Sequence, residues 1–487
     1  MPDTRALAST VATAVVLAVM AVLTIMSVSA LGFFDPADAG GIVWFTVALW
    51  SLFIVAVLAL KRVPARAAIV LIVAGSAVLG AAALAGPPNT SSDSARYAFD
   101  GIVQNNGVSP YTSVPADDAL APFREPWLFP AAVNDSDGHP QCAESGRVAR
   151  TVSLPSFEVI CTTINRPQVH TIYPPGAELY FAGVRFTVPA TAEYWPFQLA
   201  GALVSLGVTV TLVLTLRRRR KNVRWAALWA FSPFVATEAV TNSHVDALAA
   251  LLLLLATLFV ARGAVGDRMP GPNPPAAPGA GAAALSRVST ARTIAGGVLL
   301  GLAIAVKLVP VIGAPALLRR HPFQVAVPAV LTFAALYVPY VVATGIAVIG
   351  FLPGYLAEEG YDDGSRFALL SLVAPGPAAI VLAGILLLVT AVLVWRRTDP
   401  AEPWMGQVVM IGTTLLVVTP HYSWYALLLV PFVALSGRWE WLAVPAALTA
   451  QLLVPTLAVA RVSFGLAVLM VLAGLAYRTY RRRVYRT

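Results

Sequence analysis

AAIVLIVAGSAVLGAAALAG at residues 67–86 is followed, after a short Pro-Pro-Asn-Thr-Ser link, by SDSARYAFDGIVQNNGVSPY at Ser92–Tyr111. The first stretch has the roughly 20 apolar residues needed to cross a bilayer core. The second carries two carboxylates, Asp93 and Asp100, with Arg96 and Tyr97 between them, and closes on the turn Gly107–Tyr111. Charged residues this close to a membrane segment are costly unless they face water or a lined cavity, so they mark a candidate site. The plainer alternative is that a loop leaving a membrane is polar anyway.

Working outward, the composition fixes the class. The chain has 487 residues, 58% of them hydrophobic and 12% charged, with a mean hydropathy of +0.76. A soluble domain does not have that balance, so the chain reads as an all-α polytopic membrane protein. The net charge of +9 does not point to nucleic acid. Its basic clusters, Lys61–Arg66, Arg217–Lys221, Arg396–Arg397 and Arg478–Arg486, sit at the ends of apolar segments, as the positive-inside rule expects. The N-terminal apolar stretch is longer than a signal-peptide core and lacks a clear cleavage site, so it is read as a membrane helix. The only two cysteines, Cys142 and Cys161, fall in one loop. An even pair there suggests a disulfide and an oxidising side, worth on the order of 3 kcal/mol for a loop of roughly 20 residues. Two separate free thiols are the alternative.

Taken in order, residues 1–86 hold membrane helices at 6–33, 41–60 and 67–86. Residues 87–194 form a large outer loop, rich in Pro, Asp, Asn and Tyr, whose aromatics and cysteine pair argue for order. Residues 195–262 hold crossings at 195–216, 223–241 and 246–262. Residues 263–292 form a Gly/Ala/Pro linker that no membrane span can use. Residues 293–487 form a C-terminal bundle with outer loops at 346–376 and 419–425. The stretch Thr293–Leu318 reads as two short crossings or a re-entrant pair split at Lys307-Leu-Val-Pro310. That reading keeps the basic clusters on one side and puts a Pro and a cation where a broken helix lines a cavity. The total is about 12–14 segments of bilayer-crossing hydrophobicity. No internal repeat is visible.

On this topology the unusual polar residues converge on one side. They are Asp93, Arg96 and Asp100; His170 and Tyr173; Glu238, Asn242, His244 and Asp246; Lys307; Glu358, Glu359, Asp362, Asp363 and Arg366; and His421, Trp424 and Tyr425. Acids can serve as a general base and cations can hold an anionic leaving group. Glu238, Asn242 and Asp246 are spaced by four and share one face if the helix continues; capping and interhelical hydrogen bonds are the simpler reading. Lys307 either snorkels or binds phosphate. His421 with Trp424 and Tyr425 fits an aromatic-belt anchor. The aromatics Tyr97, Tyr111, Trp127 and Tyr173 could stack on a bound ligand or anchor the loop. No GxGxxG, P-loop, HExxH or CxxC cluster is present, and the Asn-x-Ser sites at Asn89 and Asn134 are weak motifs.

The motif D-x-x-R-Y-x-x-D-G…G-x-S-P-Y at Asp93–Tyr111 resembles the GT-C superfamily of membrane glycosyltransferases. INRPQVHTIYPPGAELYF at Ile164–Phe181 is the stronger match, with NSHVDALA at Asn242, the run around Lys307, EEGYDDGSRFALL at Glu358 and TPHYSWY at Thr419. In this order they resemble the polyprenol-phosphate-mannose-dependent mannosyltransferases of glycosyltransferase family 87, over roughly residues 67–460. The resemblance implies a GT-C-like helical bundle in the plasma membrane with its site on the extracytoplasmic face. It implies one displacement with inversion, from a polyprenyl-phosphate sugar, typically mannose, to a hydroxyl of a glycolipid or glycan. The donor is a substrate; no cofactor, metal or nucleic acid is implied.

By motif position the base is Asp93, with Asp100 second. Relatives often carry an acidic pair at the first position; here Ser92 stands before Asp93, which speaks against a two-acid or metal-binding version. Lys307, Arg366, His170 and His421 are candidates for the donor phosphate. Arg96, Tyr97, Asn165, Arg166, Tyr173, Asn242, His244, Asp246, Glu358 and Trp424 complete the expected substrate-binding set. The rival readings are a transporter or lipid flippase, which inverted repeats and paired broken helices would favour, and a non-catalytic scaffold.

Overall fold

The structure, a computed structural model, describes residues 4–33, 39–142, 150–154, 159–262 and 280–484. The helices in chain order are α1 (Thr4–Ala30), α2 (Gly40–Leu60), α3 (Ala65–Ala83), α4 (Asp93–Asn105), α5 (Pro175–Phe186), α6 (Trp195–Arg218), α7 (Ala227–Ala230), α8 (Pro233–Val235) and α9 (Asp246–Arg262). They continue with α10 (Ala280–Val306), α11 (Pro322–Thr344), α12 (Leu352–Glu358), α13 (Pro377–Arg397), α14 (Trp404–Val418), α15 (Val430–Ser436), α16 (Ala443–Leu453) and α17 (Leu457–Val484). Between α4 and α5 lie two antiparallel hairpins, β1 (Ala132–Asn134) with β2 (Pro140–Cys142) and β3 (Arg150–Ser153) with β4 (Val159–Thr162).

Among the described residues seven helices are long and apolar enough to cross a membrane, or up to eight if the bent pair Pro233–Thr241 and Asp246–Ala261 is one span. The protein is therefore an all-α polytopic membrane protein. The larger number of segments expected from the sequence counted apolar stretches that fold as shorter pieces: Thr290–Val306, Trp404–Val418 and Ser423–Ser436 are apolar but short.

The chain divides into two compact units, Met1–Ala247 with Pro339–Glu358, and Leu248–Val338 with Glu359–Thr487. The first of these divisions lies between Ala247 and Leu248. Residues 263–279 of the Gly/Pro-rich stretch 263–292 lie outside the described residues, and α10 already begins at Ala280.

In the first unit, Ser76 Oγ and Thr209 Oγ1 share a 2.8 Å hydrogen bond between α3 and α6, the kind of polar tie that joins helices in lipid. The outer faces of α1 and α2 expose Val11, Val15, Val22 and Ile54, as a lipid-facing surface would. The described residues of the stretch 87–194 pack around α4 and α5. Phe99, Ile102 and Val103 of α4 bury against Leu120, Leu128 and Ile164. On its other side Gly101 lies so close to α5 that a Cβ there would sit 2.6 Å from Phe181 O. Cys142 and Cys161 form a disulfide that ties β2 to β4, with 5.5 Å between their Cα atoms.

The stretch 223–241, expected as one crossing, is broken. A 3-10 turn (Val223–Ala226), α7, α8 and a π turn (Ala236–Thr241) follow one another. Pro233 has no N–H to continue a helix from before it. α6 closes on this segment at Gly201, where a Cβ would come within 2.0 Å of Ala239 O. The shared helical face expected for Glu238, Asn242 and Asp246 is not formed, because Ser243 adopts φ 51° and ends the helical path.

In the second unit α10 meets α11 through Gly297 and Gly301. A Cβ at either would lie about 2.5 Å from Val325 O or 2.4 Å from Ala329 O, a small-xxx-small contact. The expected break at Lys307–Pro310 is present: α10 stops at Val306 and a 3-10 segment, Val309–Ala316, follows. The ring of Pro310 would clash with the carbonyl four residues earlier, that of Val306. Gln407 Nε2 of α14 then donates to Thr257 Oγ1 and to Gly313 O, both at 3.1 Å, anchoring the 3-10 segment.

Candidate active site

Asp93 is the first residue of α4, directly after the link from α3. Its backbone N–H donates to Ser91 Oγ at 3.2 Å. Asn165 Nδ2 donates to its Oδ1 at 2.6 Å. His244 Nδ1 lies 3.6 Å from its Oδ2, and His244 Nε2 lies 3.3 Å from Glu238 Oε2. The His244 and Glu238 side chains are 0% and 3% exposed, against 14% for Asp93. Asp93 is thus the outermost group of a buried polar row, open enough to meet a ligand.

The link leading to Asp93 is clamped. Asn242 Oδ1 accepts from the N–H groups of Asn89 and Thr90 at 3.1 and 3.2 Å, and its Nδ2 donates to Thr90 Oγ1 at 2.6 Å and Glu238 Oε2 at 3.2 Å. Gln198 Nε2 holds Gly86 O and Thr241 O, each at 2.9 Å. Asn242, expected on substrate, is occupied in fixing this backbone.

Arg96 and Asp100 form a second, closed group one turn further along α4. Arg96 Nε lies 2.8 Å from both Asp100 oxygens, Arg96 Nη1 donates to Val169 O at 3.0 Å, and both residues are buried. This is the geometry of a structural ion pair, in which Asp100 has no face free for a base's work and Arg96 is turned inward. Burial raises Asp100 above its ordinary value against the pull of Arg96. Thr171 Oγ1 bonds Glu178 Oε1 at 2.7 Å beside this pair. Burial, reinforced by the Asp100 charge, pushes Glu178 well above the usual carboxylate range. Glu178 is a residue the sequence reading missed; a lone acid in the apolar run of α5 was its only signal.

Tyr97 and Tyr173 are core residues, not open sugar platforms. Tyr97 stacks on Phe181 at 4.3 Å and meets Tyr173 edge-on at 5.0 Å. Burial, then the nearby Asp93 and Asp246 charges, raise the Tyr97 hydroxyl well above its ordinary value. Tyr111 is buried with its hydroxyl on Tyr173 O at 2.7 Å, and Trp127 Nε1 donates to Ala190 O at 3.1 Å. Arg166 adopts φ 49°, a strained backbone for this residue type. Its Nε donates to Glu358 Oε2 at 2.7 Å and its guanidinium lies over the Tyr355 ring. His170 is exposed.

The second unit holds its own cluster. Arg366 Nη1 donates to Glu359 Oε2 at 2.7 Å, and His421 Nδ1 lies 3.1 Å from the same oxygen and against Arg366 Nη1. Arg366 is 2% exposed while the His421 side chain is 52% exposed, so His421 is the reachable member. Burial works to raise Glu359, but the bonds from His421 and the charge of Arg366 leave it below its ordinary value. Lys307 Nζ lies 5.5 Å from the Tyr425 ring centroid, and Trp424 stacks on Tyr422 at 4.6 Å. Glu359 stands out in the sequence only as one acid of the Glu358–Arg366 run; its burial follows from its contacts with Arg366 and His421.

The sequence model of glycosyltransferase family 87 matches residues 171–420, just over half of the chain. The chain belongs to glycosyltransferase family 87. The match takes in Tyr173, Glu178, the Glu238–Asp246 break, Lys307 and the Glu358–Arg366 run; the Asp93–Tyr111 stretch lies outside it. No curated protein and no solved structure matches the chain. Of Asp93, Asp100, Glu178, Glu238 and Asp246, Asp93 is the one that is not buried, and it stands at the end of a held polar row.

Proposed function

We propose that this family 87 glycosyltransferase moves a sugar, mannose in the first instance, from a polyprenyl-phosphate donor to a hydroxyl of a glycolipid or glycan. The reaction takes place on the extracytoplasmic face of the plasma membrane, with inversion. Asp93 takes the proton of the acceptor hydroxyl as its oxygen attacks the anomeric carbon. The bond from that carbon to the phosphate oxygen breaks, and the polyprenyl phosphate leaves as an anion. A cation is needed to hold that anion; in the unit that carries Asp93 the candidates are His170, which is exposed, and Arg166.

The observation that carries this reading is the Asp93 carboxylate, held on one oxygen by Asn165 at 2.6 Å and still partly open, in a chain of this family. A polyprenyl tail stays in lipid while its sugar phosphate reaches the surface, which suits apolar helices joined to the polar cap around α4 and α5. The disulfide in that cap favours an oxidising side, and the basic clusters at the helix ends favour the same orientation. Family membership speaks against the transporter and flippase readings.

Membranes expressing the protein are supplied with radiolabelled polyprenyl-phosphate mannose. Label passing into glycolipid or glycan supports the donor class. Label passing only from a polyprenyl-linked pentose would replace mannose and keep the reaction type.

A further inference from the structure

Glu238 and His244 are buried polar residues for which sugar binding gives no use. Both are held by an unusual piece of backbone. Glu238 sits in the π turn Ala236–Thr241, and single π turns gather at functional sites. Two residues past the end of that turn the chain reverses at Ser243, φ 51°, and His244 N–H returns to Glu238 O at 2.9 Å. The reversal brings the imidazole back between two carboxylates, 3.6 Å from Asp93 Oδ2 and 3.3 Å from Glu238 Oε2. These spacings are longer than a good hydrogen bond, as catalytic contacts often are before substrate closes the site. Asn242 tethers Glu238 at 3.2 Å and the same side chain clamps Asn89 and Thr90 ahead of Asp93.

We propose that His244, held by Glu238, is a positioning residue for Asp93. The proposal rests on Asp93 being the base. Asn165 fixes Oδ1 from the cap; the imidazole stands behind Oδ2 and Glu238 fixes the imidazole. With both oxygens oriented, the remaining lone pair of Asp93 faces the acceptor hydroxyl. His244 therefore touches the base and not the sugar, a different role from the substrate contact its motif suggests. Loss of the ring frees the carboxylate to turn, and a misplacement of roughly 1 Å in a reacting group costs about 100-fold in rate.

The test is steady-state transfer by the purified full chain in detergent or nanodiscs, with variants His244→Gln, Glu238→Gln and the two combined, and Asp93→Asn alongside. The expected result is a drop in kcat of about 10- to 100-fold for each single variant. Donor KM and the thermal midpoint stay near wild type, and the double variant falls no further than the weaker single. Residues acting as one unit are non-additive in this way, whereas independent structural losses add. Wild-type kcat in His244→Gln, or additive losses in the double variant, overturns the proposal. So does a loss confined to KM, which makes His244 a substrate contact. If His244→Gln does not fold, the near-isosteric Glu238→Gln carries the same reading. A fully active Asp93→Asn refutes the base assignment instead, and the two failures are told apart by which variant keeps its rate.

Discussion

Asn165 Nδ2 lies 2.6 Å from Oδ1 of Asp93, although the two residues are 72 positions apart in the chain. The bond crosses from the end of the hairpin-bearing cap to the first residue of α4, so folding of the cap sets the aim of the carboxylate. Asn165→Ala removes it without opening the core, since Asn165 is only partly buried. The expected outcome is a fall in kcat of about 10-fold or more with the thermal midpoint near wild type, read by transfer assay and melting in detergent. Asn165→Asp sets a like charge against Asp93 and is expected to lose more.

Asp100 is predicted to matter for folding and not for chemistry. Removing one partner of a buried ion pair leaves the other uncompensated, at a cost of about 3–5 kcal/mol. Asp100→Asn is therefore expected to lower the yield of folded protein and its melting midpoint. A variant that folds and melts as wild type while losing all transfer would move the base from Asp93 to Asp100.

The pH response of the second unit follows from Glu359. Its folded pKa is depressed from an ordinary 4.5, burial being outweighed by His421 and Arg366. A carboxylate depressed by folding stabilises the protein above its unfolded pKa and loses that contribution as pH falls through the folded value. The thermal midpoint is expected to decline as pH drops below 4.5, and Glu359→Gln is expected to flatten that decline. An equally steep decline in the variant would show that the contacts of Glu359 with Arg366 and His421 are not its source.

Reduction of Cys142–Cys161 is expected to loosen the cap. Closing a loop of roughly 20 residues contributes about 3 kcal/mol in the chain-entropy model. Cys142→Ser with Cys161→Ser should become cleavable by added protease between β1 and β4 under conditions where wild type is resistant. Equal resistance would mean that the hairpins stand without the cross-link.

The long membrane helices were legible because their signal is simple. α1, α2, α3, α6 and α13 are near-continuous apolar runs that stop at or shortly before a Gly, Lys or Arg. The break after Val306 was legible for the same reason, since Pro310 cannot be accommodated in a continuing helix. Less visible were structures that depend on partners distant in sequence. α4 and α5 are short and of mixed polarity, and they exist as a pair because Gly101 lets them touch. The π turn at Ala236–Thr241 follows from α6 closing on it at Gly201, which no local pattern announces.

The candidate site divides in the same way. Asp93 and the His244 break could be picked out as polar residues beside apolar helices. Position alone could not show that Asp100 is closed by Arg96, that Tyr97 is stacked on Phe181, or that Asn242 is bound to backbone. Those roles are set by which side chain each residue meets, and the meeting partners lie up to 153 positions away.

The most direct measurement is sugar transfer from a radiolabelled polyprenyl phosphate by purified wild type and Asp93→Asn, matched for folded protein by melting midpoint and for donor binding. The account predicts transfer by wild type and a loss of at least about 100-fold in kcat by Asp93→Asn, with donor affinity retained. Transfer by Asp93→Asn at the wild-type rate would contradict it.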